Sequence, residues 1–358
     1  MVDSKFKMNV LLRRLLVCVP WLFKLLNRIL PDSILLRFRS FAERFKYSDV
    51  TQVHQLPGIF HYWRQKHFRP MLTELGYSNL QDFFLQHILR FAKLPQIRLL
   101  SIGAGNCEAD IELVAKLRSL GHSNILYQCL EFNPNMLERA RTRAREVDVA
   151  EFMLFTELDV AKWSATGHPQ YHVIISRQFL HHVVELEQLL LQVKLALTPD
   201  GLFLVEDMVG RNGHMRWPEA LELVEELWAT LPDAYKRHHL HGTMDRRFRN
   251  WDSSITGYEG IRAQDILPLL HDNFGFETFI AYGNIIDVFI GRPYGPNFDV
   301  NKADDLAFID KAHQIDQLAI DEGRIKPTHI VAAMQPGPVS KTKCYRGITP
   351  EFAIRPVT

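Results

Sequence analysis

Two glycines one residue apart, Gly103 and Gly105, separate an apolar run from a stretch with helical spacing in LLSIGAGNCEADIELVAKL (99–117). Such a turn lets a ligand approach the backbone closely and points the first N–H groups of a helix at it. Dinucleotide sites need a further glycine three residues on, and here that position is Glu108. A carboxylate at the helix start would repel the pyrophosphate that belongs there. A phosphate loop also fails, because no Gly-Lys-Ser/Thr follows. The turn therefore suits a cationic cofactor without phosphate.

The surrounding pattern shows what positions this turn. From Ile97 short apolar runs (97–102, 125–132, 151–160, 171–176 and 201–208) alternate with amphipathic stretches, which implies a parallel sheet with helices on both faces. Before them, 58–76 and 79–94 read as helices, Gly76 stopping the first and Asn79 capping the second. A helical insertion starts near Trp217-Pro218. One more helix covers the run RAQDILPLLHDNFG. The run FETFIAYGNIIDVFIGRPYG then reads as two apolar runs broken at Gly283-Asn284, an expected antiparallel hairpin. Residues 304–322 read as a terminal helix. The expected organisation is a basic amphipathic segment (1–46), a helical cap (47–95), a core (96–300) with an insertion over about 212–273, and a C-terminal helix and tail (301–358).

At this point the chain resembles the class I S-adenosylmethionine-dependent methyltransferases over roughly 97–293. The resemblance rests on the glycine turn, Glu131 ending the second strand, Asp159 ending the third, and a hairpin after five parallel strands. It implies an α/β, Rossmann-like doubly wound sheet of seven strands with a C-terminal antiparallel hairpin, and S-adenosyl-L-methionine as cofactor. Two positions depart from the family pattern: Ser101 stands where an acidic residue often precedes the turn, and Cys107 replaces the third glycine. Residues 257–299 resemble the tail of a bacterial subset of these enzymes, from which no shared substrate follows.

The resemblance places the cofactor residues. Gly103, Ala104, Gly105 and Asn106 would face its amino-acid portion. The two oxygens of Glu131 can accept both ribose hydroxyls. Phe132 would pack on the adenine, Asp159 would accept its amino group, and Val160 would offer a backbone N–H to a ring nitrogen. Arg177 and Gln178, at the end of the fourth strand, can contact either ligand. The competing readings are a solvated carboxylate for Glu131, a helix cap for Asp159 and a core aromatic for Phe132.

Acceptor-side groups are expected after the fourth and fifth strands. His181 and His182 are adjacent, about 100° apart on a helix, so one faces the site; His182 is the preferred base and His181 the second choice. Arg211 and His214 lie on the loop after the fifth strand, where Arg211 can clamp an acidic acceptor. Residues 61–63 (HYW) can shape the pocket from a lid. The loop with His238, His239, His241 and Asp245 has no matched ligand spacing, and no metal centre is expected.

The chain has 358 residues, a net charge of +1 and four separated cysteines, Cys18, Cys107, Cys129 and Cys344. That balance argues against a nucleic-acid substrate and the cysteine spacing against a zinc cluster or disulfide scaffold, fitting a reducing, cytoplasmic setting. Residues 1–46 carry ten Lys/Arg and three Asp/Glu, net +7. Over 9–30 the basic residues gather on one helical arc opposite leucines, so this segment either packs internally or makes transient membrane contact. Its longest uncharged run is too short to span a bilayer. The expected activity is methyl transfer to a small-molecule acceptor. The alternatives are a nicotinamide-dependent oxidoreductase, which Glu108 disfavours, and a non-catalytic protein that keeps the fold for interaction.

Overall fold

The computed structural model describes residues 56–356. The basic segment 1–46, and with it the expected membrane contact through 9–30, lies outside the described residues. Among those described, no helix is long and apolar enough to cross a membrane.

Helix α1 (Gly58–Trp63) runs through a π-type turn (Arg64–Phe68) into α2 (Arg69–Glu74). The wider turn accommodates Pro70, whose missing N–H would interrupt regular α bonding. Gly76, at φ +89, ends the run. Asn79 caps α3 (Leu80–Leu89) by accepting from the Asp82 N–H, as its residue type predicts.

The core is β1 (Ile97–Ile102), α4 (Glu108–Ser119), β2 (Ile125–Glu131), α5 (Pro134–Glu146), β3 (Met153–Glu157), β4 (Tyr171–Arg177), α6 (Leu186–Ala196) and β5 (Leu197–Met208). The insertion follows with α7 (Pro218–Thr230) and a short ribbon of β6 (Arg237–His238) and β7 (Thr243–Met244). Then come α8 (Ala263–Asn273), β8 (Gly275–Tyr282), α9 (Ile286–Ile290), α10 (Ala303–Asp321), β9 (His329–Gln335), β10 (Lys343–Cys344) and α11 (Pro350–Ala353). Strands β1 to β5 pair in parallel, and the sheet order is β10-β8-β9-β5-β4-β1-β2-β3. The crossover between β3 and β4 puts a topological switch point beside β1, where open sheets of this kind bind ligands beyond their carboxyl ends. β1, β4, β9 and the 201–205 stretch of β5 are almost wholly buried, which accounts for their near-continuous apolar runs.

The closing antiparallel pair exists, but its second strand lies elsewhere than expected. Gly283 does turn the chain, at φ +60, yet the following run IIDVFI contains α9 rather than a strand. The reason is a cap. The Asp316 carboxylate, carried by α10, accepts the N–H groups of Asn284 and Ile285, both at 3.0 Å. Those donors would otherwise have to pair in a sheet. The antiparallel partner of both β5 and β8 is β9, in the segment read as tail. An eighth, two-residue strand, β10, adds to the β8 edge.

Candidate active site

The carboxyl ends of the strands open into a cavity of roughly 2380 Å³. A pocket for a single drug-sized ligand takes about 300–1,000 Å³, so this one has room for a cofactor and an acceptor together. Its walls come from the glycine turn, the ends of β2 and β4, the insertion, the α1 region and the start of α9.

At one end, Gly103 and Gly105 both take positive φ, at +65 and +59. A Cβ on Gly103 would lie 2.0 Å from the Phe179 ring, so no other residue fits there without displacing it. Cys107 also takes positive φ, +53. That conformation explains why a glycine is the usual occupant, and this chain carries the strain of a side chain instead. Glu131, 5% exposed, reaches from the end of β2 to the turn. Its Oε2 accepts the Gly105 N–H and its Oε1 the Asn133 N–H, both at 2.9 Å. Each oxygen keeps a second lone pair for a ligand hydroxyl. Burial pushes the Glu131 carboxyl above the usual range, while these two N–H groups pull it back.

Phe132, Asp159, Val160, Arg177 and Gln178 line the same end, as does Ala104. Asp159 also caps the short turn at Val160–Lys162 through the Ala161 N–H, so the helix-cap reading and the cavity-wall reading both hold. Arg177 lies over Phe84 at 4.4 Å and donates to Glu206 at 3.2 Å. Asn106 is not on the wall; its carboxamide oxygen accepts from Arg139 Nε at 2.9 Å, which holds the turn from behind. Asp110 is a lining residue that spacing arguments passed over. It is buried, accepts from the Tyr127 hydroxyl at 2.6 Å, and interacts with Ser101. Asp110 thus sets a carboxylate beside Ser101 from the first turn of α4, a helical neighbour that strand-end patterns do not search.

The opposite end is polar. The Asp207 carboxylate, fully buried at the end of β5, accepts the N–H groups of Phe179 and Leu180 through Oδ2. Its Oδ1 takes His181 Nδ1 at 2.5 Å. His181 Nε2 then faces Glu259 Oε1 at 3.5 Å, and His214 Nε2 faces the same oxygen at 3.3 Å. Burial alone would lower the His181 imidazole. The carboxylates of Asp207 and Glu259 on either side outweigh it and hold the ring up at about 10. The His182 ring lies tilted against the His181 ring, centroids 4.2 Å apart, and also lines the cavity. Of the adjacent pair, His181 is the one whose Nδ1 meets Asp207, and both rings line the cavity.

Three loops converge to make this wall. Gly213 (φ +67) and His214 (φ +55) are successive left-handed residues after β5. The Gly213 N–H donates to Gly260 O at 2.8 Å, and the Ile261 N–H to His181 O at 3.1 Å. A Cβ on Gly260 would lie 2.9 Å from His214 N, and one on Gly213 would lie 2.0 Å from Asp252 Oδ1. The two glycines therefore allow His214 and Glu259, from distant parts of the chain, to meet. Glu259 carried no sequence signal, since its role depends on an insertion folding back.

Arg211 is not on the wall; it donates to Arg216 O at 3.1 Å. Arg216 takes the place expected for it, donating to Asp287 at 2.7 Å and to His214 O at 3.1 Å. Arg216 Nε and His214 Nδ1 are buried with no hydrogen-bond partner among the described residues, as are Asn133 Nδ2, Ser176 Oγ and Asn284 Oδ1. The second histidine cluster is built differently. Asp245 accepts from Tyr294 and Thr243 and pairs with Arg249. His239 pairs with Asn297. From the lid, His61 and Trp63 reach the cavity, and Trp63 Nε1 donates to His313 at 3.3 Å.

Residues 100–203 match the model of a methyltransferase domain family. No protein of curated function matches the chain. Among solved structures it is similar to a protein described as a sarcosine dimethylglycine methyltransferase from Galdieria sulphuraria (13% identity, 71% of this chain and 84% of that one, TM-score 0.41). It is also similar to geranyl diphosphate C-methyltransferase from Streptomyces coelicolor A3(2), solved with S-adenosyl-L-homocysteine (9% identity, 71% and 76%, TM-score 0.39). A third similarity is to the [4+2]-cyclase SpnF (14% identity, 78% and 96%, TM-score 0.39). At these scores the likenesses carry no argument about chemistry.

Proposed function

We infer, on the premise that this chain carries a class I S-adenosylmethionine-dependent methyltransferase domain, that it methylates a small-molecule acceptor held against the His181–Glu259–His214 wall. The observation that carries this reading is the single cavity joining the glycine turn and Glu131 to that wall. S-adenosylmethionine is the cofactor, and it supplies a methyl group on an already activated leaving group.

In this reading Glu131 accepts the ribose hydroxyls, while Asp110 and the open backbone at Gly103–Gly105 receive the cationic amino-acid end. Asp159 and Val160 meet the adenine edge. A carboxylate at Glu108, the first residue of α4, favours that cationic tail over a pyrophosphate. The acceptor lies between the cofactor and the histidines. Bound there, the cofactor would supply an activated methyl group for in-line transfer to the acceptor, and the polar wall would take any proton the acceptor loses. The lid and insertion residues around the cavity keep water out of the displacement.

Calorimetry with S-adenosylmethionine and S-adenosylhomocysteine, followed by transfer of label from the cofactor into a small-metabolite extract, tests this. Cofactor binding and a labelled low-molecular-weight product are expected. Absence of cofactor binding, or label appearing only in macromolecules, would reject it.

A further inference from the structure

The wall at the acceptor end has the make-up of a metal centre. His181, His214 and Glu259 come from three segments, one ligand atom of each lies within 4.8 Å of the others, and both Nε2 atoms face Glu259 Oε1. The two distances to Glu259 Oε1, 3.3 and 3.5 Å, are long for hydrogen bonds. They match the ligand–ligand edge of a tetrahedral site, about 3.3 Å for bonds of about 2.0–2.1 Å to nitrogen and oxygen. An octahedral site with similar bonds would need a shorter edge of about 3 Å.

The environment agrees. His181 Nδ1 is tied to the buried Asp207, which fixes the ring and directs Nε2 toward Glu259, the carboxylate–histidine arrangement that metal ligands commonly show. Asp207 in turn is held by three backbone N–H groups, those of Phe179, Leu180 and Met208. The Arg216 guanidinium is committed to Asp287 and to the His214 carbonyl. Once a cation displaces the proton from His181 Nε2, two carboxylates and two neutral imidazoles carry a net charge of −2, which one dication balances. The backbone bonds from Gly213 to Gly260 and from Ile261 to His181 hold the three loops in register without the ion.

We propose that His181 Nε2, His214 Nε2 and Glu259 Oε1 bind a divalent transition-metal cation of the zinc class, leaving one coordination position open to the cavity. Three protein ligands and an open position are the pattern of a catalytic rather than a structural centre. Its role follows from the methyl-transfer reading: an acceptor oxygen bound at the open position would be polarised and lose its proton more readily. The binding itself does not depend on that reading.

The test uses the full-length protein after dialysis against a chelator. Cobalt(II) is titrated in and followed by its visible d–d absorption. One ion per chain with a tetrahedral spectrum is expected. His214→Gln and Glu259→Gln should each weaken binding at least tenfold. Asp207→Asn, acting through His181, should weaken it about 10–100-fold. S-adenosylhomocysteine affinity, measured on each variant, reports the fold separately. X-ray absorption on the cobalt-loaded wild type should show only nitrogen and oxygen neighbours, imidazoles among them, even if a variant does not fold. No bound cobalt, or affinity unchanged in the variants, overturns the proposal. So does sulfur ligation, which would place the ion at the buried Cys107–Asp110–Cys129 group instead. Methyl transfer that persists in metal-free protein would remove the ion's role while leaving the methyltransferase reading intact.

Discussion

Glu131 fastens the glycine turn to the end of β2, and in the proposed reading its remaining lone pairs take a sugar diol. Glu131→Ala should weaken S-adenosylmethionine binding by about 1.5–3 kcal/mol, roughly tenfold to a hundredfold, as loss of charged hydrogen bonds does. Calorimetry reads this directly. Gly103→Ala should do worse, because its Cβ meets the Phe179 ring and its φ is left-handed. A destabilisation of about 1–3 kcal/mol from overpacking is expected in urea unfolding, together with loss of cofactor binding. Both residues were legible in the sequence because glycine in a tight turn and an acid at a strand end are local signals. Arg216 was not: it lies five residues past Arg211, and only the folded loop decides which of the two guanidinium groups reaches the cavity.

At the scale of elements, the acceptor wall depends on two loops touching through glycines. Gly260→Ala should separate them, lowering kcat at least tenfold while leaving the S-adenosylhomocysteine affinity within twofold, since the glycine turn lies at the other end of the cavity. Steady-state kinetics with calorimetry separates the two effects. Another joint is Asp316, by which α10 caps the turn between β8 and α9. Burial raises its carboxyl from the ordinary value to about 6, although the N–H groups of Asn284 and Ile285 oppose the rise. A raised folded value means that the native state holds the proton where the unfolded chain has already lost it. Stability from this group is therefore complete below about pH 4 and is lost as pH rises to about 6, by roughly 3 kcal/mol. Asp316→Asn should flatten that part of the stability profile in denaturant titrations at pH 4, 5, 6 and 7. The same carboxylate explains the misplaced hairpin. The apolar run after Gly283 has no local feature that separates strand from helix, and the deciding contact arrives from 32 residues downstream.

Over the whole molecule, the parallel core was readable because alternating apolar runs and amphipathic stretches are written in contiguous residues. The glycine-turn end of the cavity inherited that clarity, being built from strand ends. The histidine end did not, because Glu259 and His214 meet only through tertiary folding of the insertion. One global measurement separates the rival cofactors. A ligand at a hundred times its Kd stabilises the native state by about 2.7 kcal/mol, a rise in Tm of a few degrees for a chain of this size. S-adenosylhomocysteine should produce that shift and NADH none, and Glu131→Ala should reduce it.

The position of β9 also governs how the chain acquires its shape. This strand sits between β5 and β8, yet it is synthesised after both, beyond α10. Until it emerges, β5 presents a bare hydrogen-bonding edge and β8 has no neighbour in its own sheet to join. A nascent chain is thus left with two sticky borders and a gap that only one apolar ribbon can fill, so final zippering is a late, long-range event. Refolding that ends with protection of backbone amides in 329–335, and aggregation of chains truncated before that stretch, are the consequences of threading the last interior strand into the middle rather than adding it at the rim.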